Sequence, residues 1–202
     1  MSQAPVGFDL DMTLIDSSRA ILASFAGVAA DTGVAINPAD VLSRLGIKLE
    51  DELAHWFPPS AVEDAVRAYR AHYLRLSGPM TTRLPGADEA LAAVRASGAR
   101  PVVITAKHPL TARLSLEGVG LSADELFADV HGPEKAEVLT AIGAAVYVGD
   151  TPADMAAAVT AGAHAVGVST GSFSAADLHA AGAADVLSSL AGFPALYRKL
   201  AG

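Results

Sequence analysis

Val6-Gly7-Phe8-Asp9 is a short apolar run broken off by a polar residue, and the figure of an apolar run ending in a polar or Gly residue returns three times along the chain. Val102-Val103-Ile104 runs into Thr105, Val146-Tyr147-Val148 into Gly149-Asp150, and Val166-Gly167-Val168 into Ser169. Runs this short and uniform fit strands covered on both faces, as in a parallel sheet, better than half-exposed strands. Helical patterns intervene at about 87–97, 110–117, 135–142 and 153–161. Gly98, Gly118, Gly143 and Gly162 stand where a left-handed residue would close each of them. The alternation predicts an α/β fold, a doubly wound, Rossmann-like parallel sheet.

Between Ser17 and Met80 the texture changes and no strand signal remains. Ile21, Leu22, Phe25, Val28 and Ala29 keep a helical spacing, and Asp16 and Ser17 are placed to cap that helix. Asn37-Pro38 offers an N-cap with proline at the first helical position, ahead of Val41, Leu42 and Leu45. Leu49, Leu53 and Trp56 form another stripe, stopped by Pro58-Pro59, and His55-Trp56-Phe57 reads as core of this module. Ser60 and Glu63 have the spacing of a capping box, opening a helix that carries Val62, Val66, Tyr69 and Tyr73. Gly78-Pro79 and Leu84-Pro85-Gly86 then lead back to the sheet. The organisation is a core of 1–16 and 81–202 with a helical insertion at 17–80. Leaving from the carboxyl end of the first strand, where open α/β sheets bind ligands, the insertion is placed as a lid.

The chain's 202 residues are enough for a sizeable core, without disulfide or metal support. Twenty-two acids against fourteen bases give a net charge of −8, and no Lys/Arg run offsets it, which excludes a nucleic-acid backbone as the expected partner. The absence of cysteine removes disulfides, thiolate metal sites and Cys nucleophiles. Met1 to Pro5 carry no basic or apolar leader pattern, and no apolar stretch reaches a membrane span, so a cytoplasmic location is expected. A monomer and a homodimer are both compatible with the apolar stripes.

Reading only the residues at strand ends collects Asp9 with Asp11, Thr105, and Asp150 with Asp154, while Lys135 opens the helix between the last two strands. A nucleophilic carboxylate, a second one two residues on, a hydroxyl, an ammonium and a distal acidic pair are the parts phosphoryl transfer asks for. A carboxylate about 4 Å from a phosphate dianion meets roughly 4 kcal/mol of repulsion per charge pair at an effective dielectric of 20, so roughly 8 in all. A divalent cation held by Asp9 and Asp150, with Lys135 beside it, reverses that sign. Oxygen-only ligands favour Mg²⁺. Asp11 is placed to give a proton to the leaving alkoxide and later to activate water, and Thr105 with the N–H groups after it to hold a phosphoryl oxygen.

The same residues carry a family resemblance. Phe8-Asp9-Leu10-Asp11-Met12-Thr13-Leu14-Ile15-Asp16-Ser17 resembles the first motif of the haloacid dehalogenase-like hydrolases, in their phosphatase branch. Val103-Ile104-Thr105 resembles the second motif, Lys135 the third, and Val148-Gly149-Asp150-Thr151-Pro152-Ala153-Asp154-Met155 the fourth. Leu84-Pro85-Gly86, Ala161-Gly162-Ala163 and Gly182-Ala183-Ala184-Asp185-Val186 extend the likeness over nearly the whole chain. The resemblance implies Asp9 as nucleophile and Asp11 as acid/base. It implies magnesium held by Asp9, Asp150 and the backbone carbonyl of Asp11, with Asp154 as a further carboxylate. It also implies phosphate contacts from Thr105, Ala106 and Lys135, and a helical cap where the insertion lies. Thr105-Ala106-Lys107 and Leu45-Gly46-Ile47 are similar to the phosphoglycolate phosphatase-like group, so a small phosphorylated metabolite, phosphoglycolate first, is the implied substrate. Met12 stands where glycine is usual, and Ala106 where a polar residue is common.

Alternatives differ in what they need. Asp11 counts against dehalogenases and phosphonoacetaldehyde hydrolases, and the latter would need Lys48, the insertion's lone lysine, for a Schiff base. A phosphosugar mutase of the β-phosphoglucomutase kind shares all four motifs. A receiver domain places its acidic pair first and has no lid, and a catalytically idle phosphate-binding relative would keep the charges without turnover. Lys107 competes with Lys135 for the ammonium role. The six histidines lack metal-ligand spacing.

Overall fold

The computed structural model describes residues 3–201; Met1 and Ser2, part of the stretch read above for a leader, lie outside it. In chain order the elements are β1 (Val6–Phe8), β2 (Ile15–Asp16), α1 (Ser18–Thr32), α2 (Pro38–Ser43), α3 (Leu49–Ala54), α4 (Pro59–Met80), β3 (Thr82–Arg83) and α5 (Ala87–Ala96). They continue with β4 (Pro101–Thr105), α6 (Pro109–Gly118), β5 (Glu125–Ala128), α7 (Glu134–Ile142), β6 (Val146–Gly149), α8 (Pro152–Ala161), β7 (His164–Val168), α9 (Ala175–Ala180), β8 (Asp185–Leu187) and α10 (Phe193–Ala201).

Six strands form one parallel sheet in the order β5-β4-β1-β6-β7-β8. Alternate residues face opposite sides, as strand geometry requires. Val6, Phe8, Val103, Val148 and Val166 pack with Leu91 and Val94 of α5, Leu116 of α6 and Phe193 of α10. Val102, Ile104, Tyr147 and Ala165 pack with Leu139 of α7, Met155 of α8 and Leu178 of α9. Both faces are therefore covered, the reason the central strands read as unbroken apolar runs. The edge strands β5 and β8 are only partly buried and carry Glu125 and Asp185, so the apolar-run criterion passes over them.

Helices α1 to α4 pack around an apolar cluster of their own that includes Phe25, Val28, Val41, Leu53, Phe57, Val66 and Tyr73. The two crossings into and out of this insertion are tied by the antiparallel pair β2–β3, with Ile15 opposite Arg83 and Asp16 opposite Thr82. No helix among the described residues is long and apolar enough to cross a membrane.

Three local expectations fail for physical reasons. The Ser60–Glu63 capping box does not form: α4 begins at Pro59, whose missing N–H is one that a first turn leaves unbonded anyway, and Glu63 pairs with Arg67 at 2.7 Å. Gly78-Pro79 does not end that helix, which runs on to Met80 because a proline in the last turn costs only one ladder bond. Gly118 is the final residue of α6 rather than its left-handed cap; Gly120 takes the positive φ instead.

Candidate active site

β1 lies between β4 and β6, where the strand order reverses, so its carboxyl end opens into the switch-point crevice. Asp9 follows Phe8 and its N–H still bonds the Val148 carbonyl at 2.8 Å, which fixes the carboxylate over the sheet's end. The chain then folds back in a tight loop in which Leu14 and Ile15 both donate to the Leu10 carbonyl, at 2.9 and 3.1 Å. Met12 sits in that loop at φ 60°, the left-handed region where a side chain costs about 1–2 kcal/mol. Its N–H bonds Ile15 O at 2.7 Å and its carbonyl accepts from Thr170 Oγ1 at 2.5 Å. Those bonds hold a conformation that glycine would adopt freely, which accounts for the departure from the usual residue.

Lys135, in the first turn of α7, is buried between two carboxylates, its Nζ 2.8 Å from Asp9 Oδ1 and 2.7 Å from Asp154 Oδ1. Asp154 is fully engaged. Oδ1 also accepts from the Tyr147 hydroxyl at 3.1 Å, and Oδ2 from the Thr151 N–H and hydroxyl at 3.1 and 2.6 Å. Thr151 and Asp154 thus form the capping box of α8, so helix entry and ammonium placement share one carboxylate. Asp150 takes a bond from Thr13 Oγ1 at 3.2 Å. Two glycines make room: a Cβ at Gly149 would overlap Asp154, and one at Gly171 would overlap Asp150 Oδ2.

Asp9, Asp150 and Asp154 each bring an oxygen within 4.8 Å of the others, all three buried. One ammonium faces three acids. Burial, then the Asp154 and Asp11 charges, push Asp9 up from 3.8 to about 7 against the pull of Lys135. Burial and the neighbouring Asp9 and Asp154 hold Asp150 well above the carboxylate range. A buried, oxygen-only, under-compensated acidic set fits a hard divalent cation.

The Asp11 carboxylate stands apart from this triad. Its Oδ1 accepts from Ser17 Oγ at 2.5 Å and from Lys107 Nζ at 2.7 Å. Lys107 is therefore not a rival to Lys135; the two ammonium groups serve different carboxylates. Ser17 turns its hydroxyl away from α1, and Asp16 alone bonds the helix start, through Ser18 N at 2.9 Å. Thr105 is buried at the end of β4, and its Oγ1 accepts the Lys107 N–H at 3.2 Å, leaving the hydroxyl proton to donate. Ala106 lines the crevice beside it.

The crevice is a cavity of about 180 Å³ roofed by the insertion. Lys48 is exposed at the start of α3 and does not line it. Sequence reading missed the polar residues that do. Arg44 Nε bonds Glu52 Oε2 at 2.7 Å, and one terminal nitrogen of Arg70 meets Glu50 Oε1 at 3.1 Å. Tyr69 and Tyr73, read as helix core, also reach the cavity. Arginine and glutamate recurring with the apolar stripes of α3 and α4 were the available signal.

The family described as haloacid dehalogenase-like hydrolase matches residues 6–168. The tyrosine-protein kinase PtkA of Mycobacterium tuberculosis is 33% identical over 115 residues, 56% of this chain and 40% of that protein, so the match spans less than half of PtkA. The protein named "Probable phosphatase IndB" of Dickeya dadantii is 30% identical over 184 residues, 81% of this chain and 80% of that one. Among solved structures, a haloacid dehalogenase-like family hydrolase of Streptococcus pneumoniae superposes with a TM-score of 0.84 at 21% identity, over 96% of this chain and 98% of that one.

Proposed function

The chain belongs to the haloacid dehalogenase-like hydrolases; from that premise we propose that it acts on phosphoester bonds, as a Mg²⁺-dependent phosphatase of a small phosphomonoester working through an aspartyl phosphate on Asp9. The observation that carries this reading is the division of labour between two carboxylates two residues apart. Asp9 lies buried in the acidic triad with one oxygen held by Lys135, and Asp11 lies outside it, aimed by Ser17 and Lys107.

The Asp9 oxygen not bonded to Lys135 attacks phosphorus, and the bond from phosphorus to the ester oxygen breaks. Asp11 gives its proton to that departing oxygen, releasing an alcohol. A water molecule then loses a proton to Asp11 and attacks phosphorus, the bond to Asp9 breaks, and inorganic phosphate leaves with both carboxyl groups restored. Thr105 donates its hydroxyl to a phosphoryl oxygen, the Ala106 N–H does the same, and Lys135 offsets charge on the transferring group. Asp9 and Asp150, with the Asp11 carbonyl, would hold Mg²⁺, which would supply the positive charge that offsets the phosphate dianion facing these acids. Asp154 keeps Lys135 in place. Residues 17–80 act as the cap that closes over this chemistry and excludes water during the first step.

The test is phosphate release from a panel of phosphomonoesters, with Mg²⁺ and with chelator, for the wild type and Asp9→Asn. Magnesium-dependent release that Asp9→Asn abolishes, with a phosphoryl adduct trapped on Asp9 in Asp11→Asn, is the expected result. Full activity in Asp9→Asn refutes it.

A further inference from the structure

Two polar atoms on one face of α4 are buried without a hydrogen-bond partner, the Tyr73 hydroxyl and Arg70 Nε. Both residues line the cavity, and at a separation of three they are neighbours on the helix surface. Tyr73 is only 3% exposed, and its ring is fixed by stacking on Tyr69 at 5.8 Å between centroids, Tyr69 in turn packing on Phe25 at 4.8 Å. Buried polar groups without partners are rare in folded proteins; Lys107, the cation nearest Tyr73, is already bonded to Asp11, and the cavity that both side chains line can supply a ligand atom as partner. The pair also stands on the correct side of the chemistry: Lys107 Nζ lies 4.5 Å from the centre of the Tyr73 ring and 2.7 Å from Asp11 Oδ1. Tyr73 is thus one side chain away from the group that meets the leaving oxygen.

The charges nearby decide the chemical class. The insertion brings two arginines and two glutamates to the cavity, and each arginine is already paired, Arg44 with the buried Glu52 and Arg70 with Glu50. Glu52 is fixed further by Trp56 Nε1 at 3.0 Å. A second anionic group on the substrate, such as the carboxylate of phosphoglycolate, would find no uncompensated cation there and would face both glutamates. The rest of the insertion's contribution is apolar, from Phe25, Val41, Leu45, Ile47 and Leu49.

We propose that Tyr73 and Arg70 form the leaving-group subsite, and that it takes an uncharged alcohol whose own hydroxyl or carbonyl oxygen meets these two donors. The assignment rests on the phosphatase reading and names its substrate class.

Three esters of matched size separate the possibilities: 2-hydroxyethyl phosphate, ethyl phosphate and phosphoglycolate. They are ranked by kcat/KM and by competition against p-nitrophenyl phosphate, for the wild type, Tyr73→Phe and Arg70→Met. The wild type is expected to favour 2-hydroxyethyl phosphate over both others by about tenfold, the worth of one well-made hydrogen bond. Tyr73→Phe should lower the value for 2-hydroxyethyl phosphate about tenfold more than that for ethyl phosphate, a ratio that a general loss of folding or catalysis would not move. Phosphoglycolate ranking first, or both variants leaving the ratio unchanged, overturns the subsite. Silence on every compound, p-nitrophenyl phosphate included, overturns the phosphatase reading itself.

Discussion

Replacing Asp9 should make the metal-free protein more stable, and the size of the gain follows from the site. Asp9 is held at about 7 in the folded chain against an ordinary 3.8, because it is buried beside Asp154 and Asp11. A raised acid keeps in the folded state a proton that the unfolded chain gives up. Its contribution is therefore complete below pH 3.8, declines between 3.8 and about 7, and is lost above. At 1.36 kcal/mol per pH unit the full span is about 4 kcal/mol. Asp9→Asn is neutral at every pH and keeps an oxygen for Lys135, so at pH 8 in chelator it should be more stable than the wild type by roughly 2–4 kcal/mol. For about 200 residues that is a rise in Tm of roughly 5–15 °C. At pH 4 the two proteins should differ little. Thermal unfolding at both pH values, in chelator and then in Mg²⁺, reads the effect; the cation should raise the wild type more than the variant, since it binds the ionised acid. An Asp9→Asn protein no more stable than the wild type at pH 8 would refute the argument that this carboxylate is an electrostatic burden.

Other perturbations address single contacts. Asp11→Asn should lower kcat by 10²–10⁴ in steady-state phosphate release, with KM changed far less, because it removes proton transfer and leaves the acidic triad intact. Lys135→Met strips the one ammonium from between Asp9 and Asp154, and denaturant unfolding at pH 8 in chelator should show a loss of about 3–5 kcal/mol that shrinks towards pH 5 as Asp9 regains its proton. Gly171→Ala puts a Cβ against Asp150 Oδ2, the free end of that side chain, and its three nearest neighbours are all atoms of Asp150. It should raise the Mg²⁺ concentration for half-maximal activity about tenfold or more, with Tm in chelator nearly unchanged.

What the sequence made legible follows from where burial is two-sided. β1, β4, β6 and β7 show as apolar runs because helices cover both sheet faces, and the runs of β1, β4 and β6 stop at the crevice, so Asp9, Thr105 and Asp150 are found by the same reading that finds the strands. The edges β5 and β8 keep polar residues and escape it. So does the two-residue ribbon β2–β3, whose pairing links Ile15 to Arg83 across the whole insertion. Lys107 could not be assigned from spacing, because its bond to Asp11 spans 96 residues and depends on how far the loop after β4 curls. The capping role of Ser17 was misjudged for a related reason. A hydroxyl at a helix start normally serves the backbone, and here the half-buried Asp11 carboxylate competes for it at 2.5 Å and wins.

The insertion is harder to read because its polar residues have two audiences. Glu52 is buried and satisfied by Arg44 and Trp56, which alone would make it a structural ion pair of the helical cluster. Yet the same pair lines the cavity, and by cancelling its own charge it removes the insertion's means of attracting a second anion. The core behaves in the opposite way. Its acids outnumber their ammonium, and the imbalance holds Asp9 and Asp150 above their ordinary range until a cation arrives. An electrostatically neutral roof over a floor that demands positive charge separates two tasks. On the proposed reading, phosphate and metal are recognised by the floor, where charge is decisive. The proposed subsite leaves the alcohol to the roof, where Tyr73 and Arg70 have unmet hydrogen bonds. Discrimination among esters should therefore track neutral hydrogen bonding, and because the floor's charges are buried, affinity for the phosphoryl group should fall only modestly with added salt.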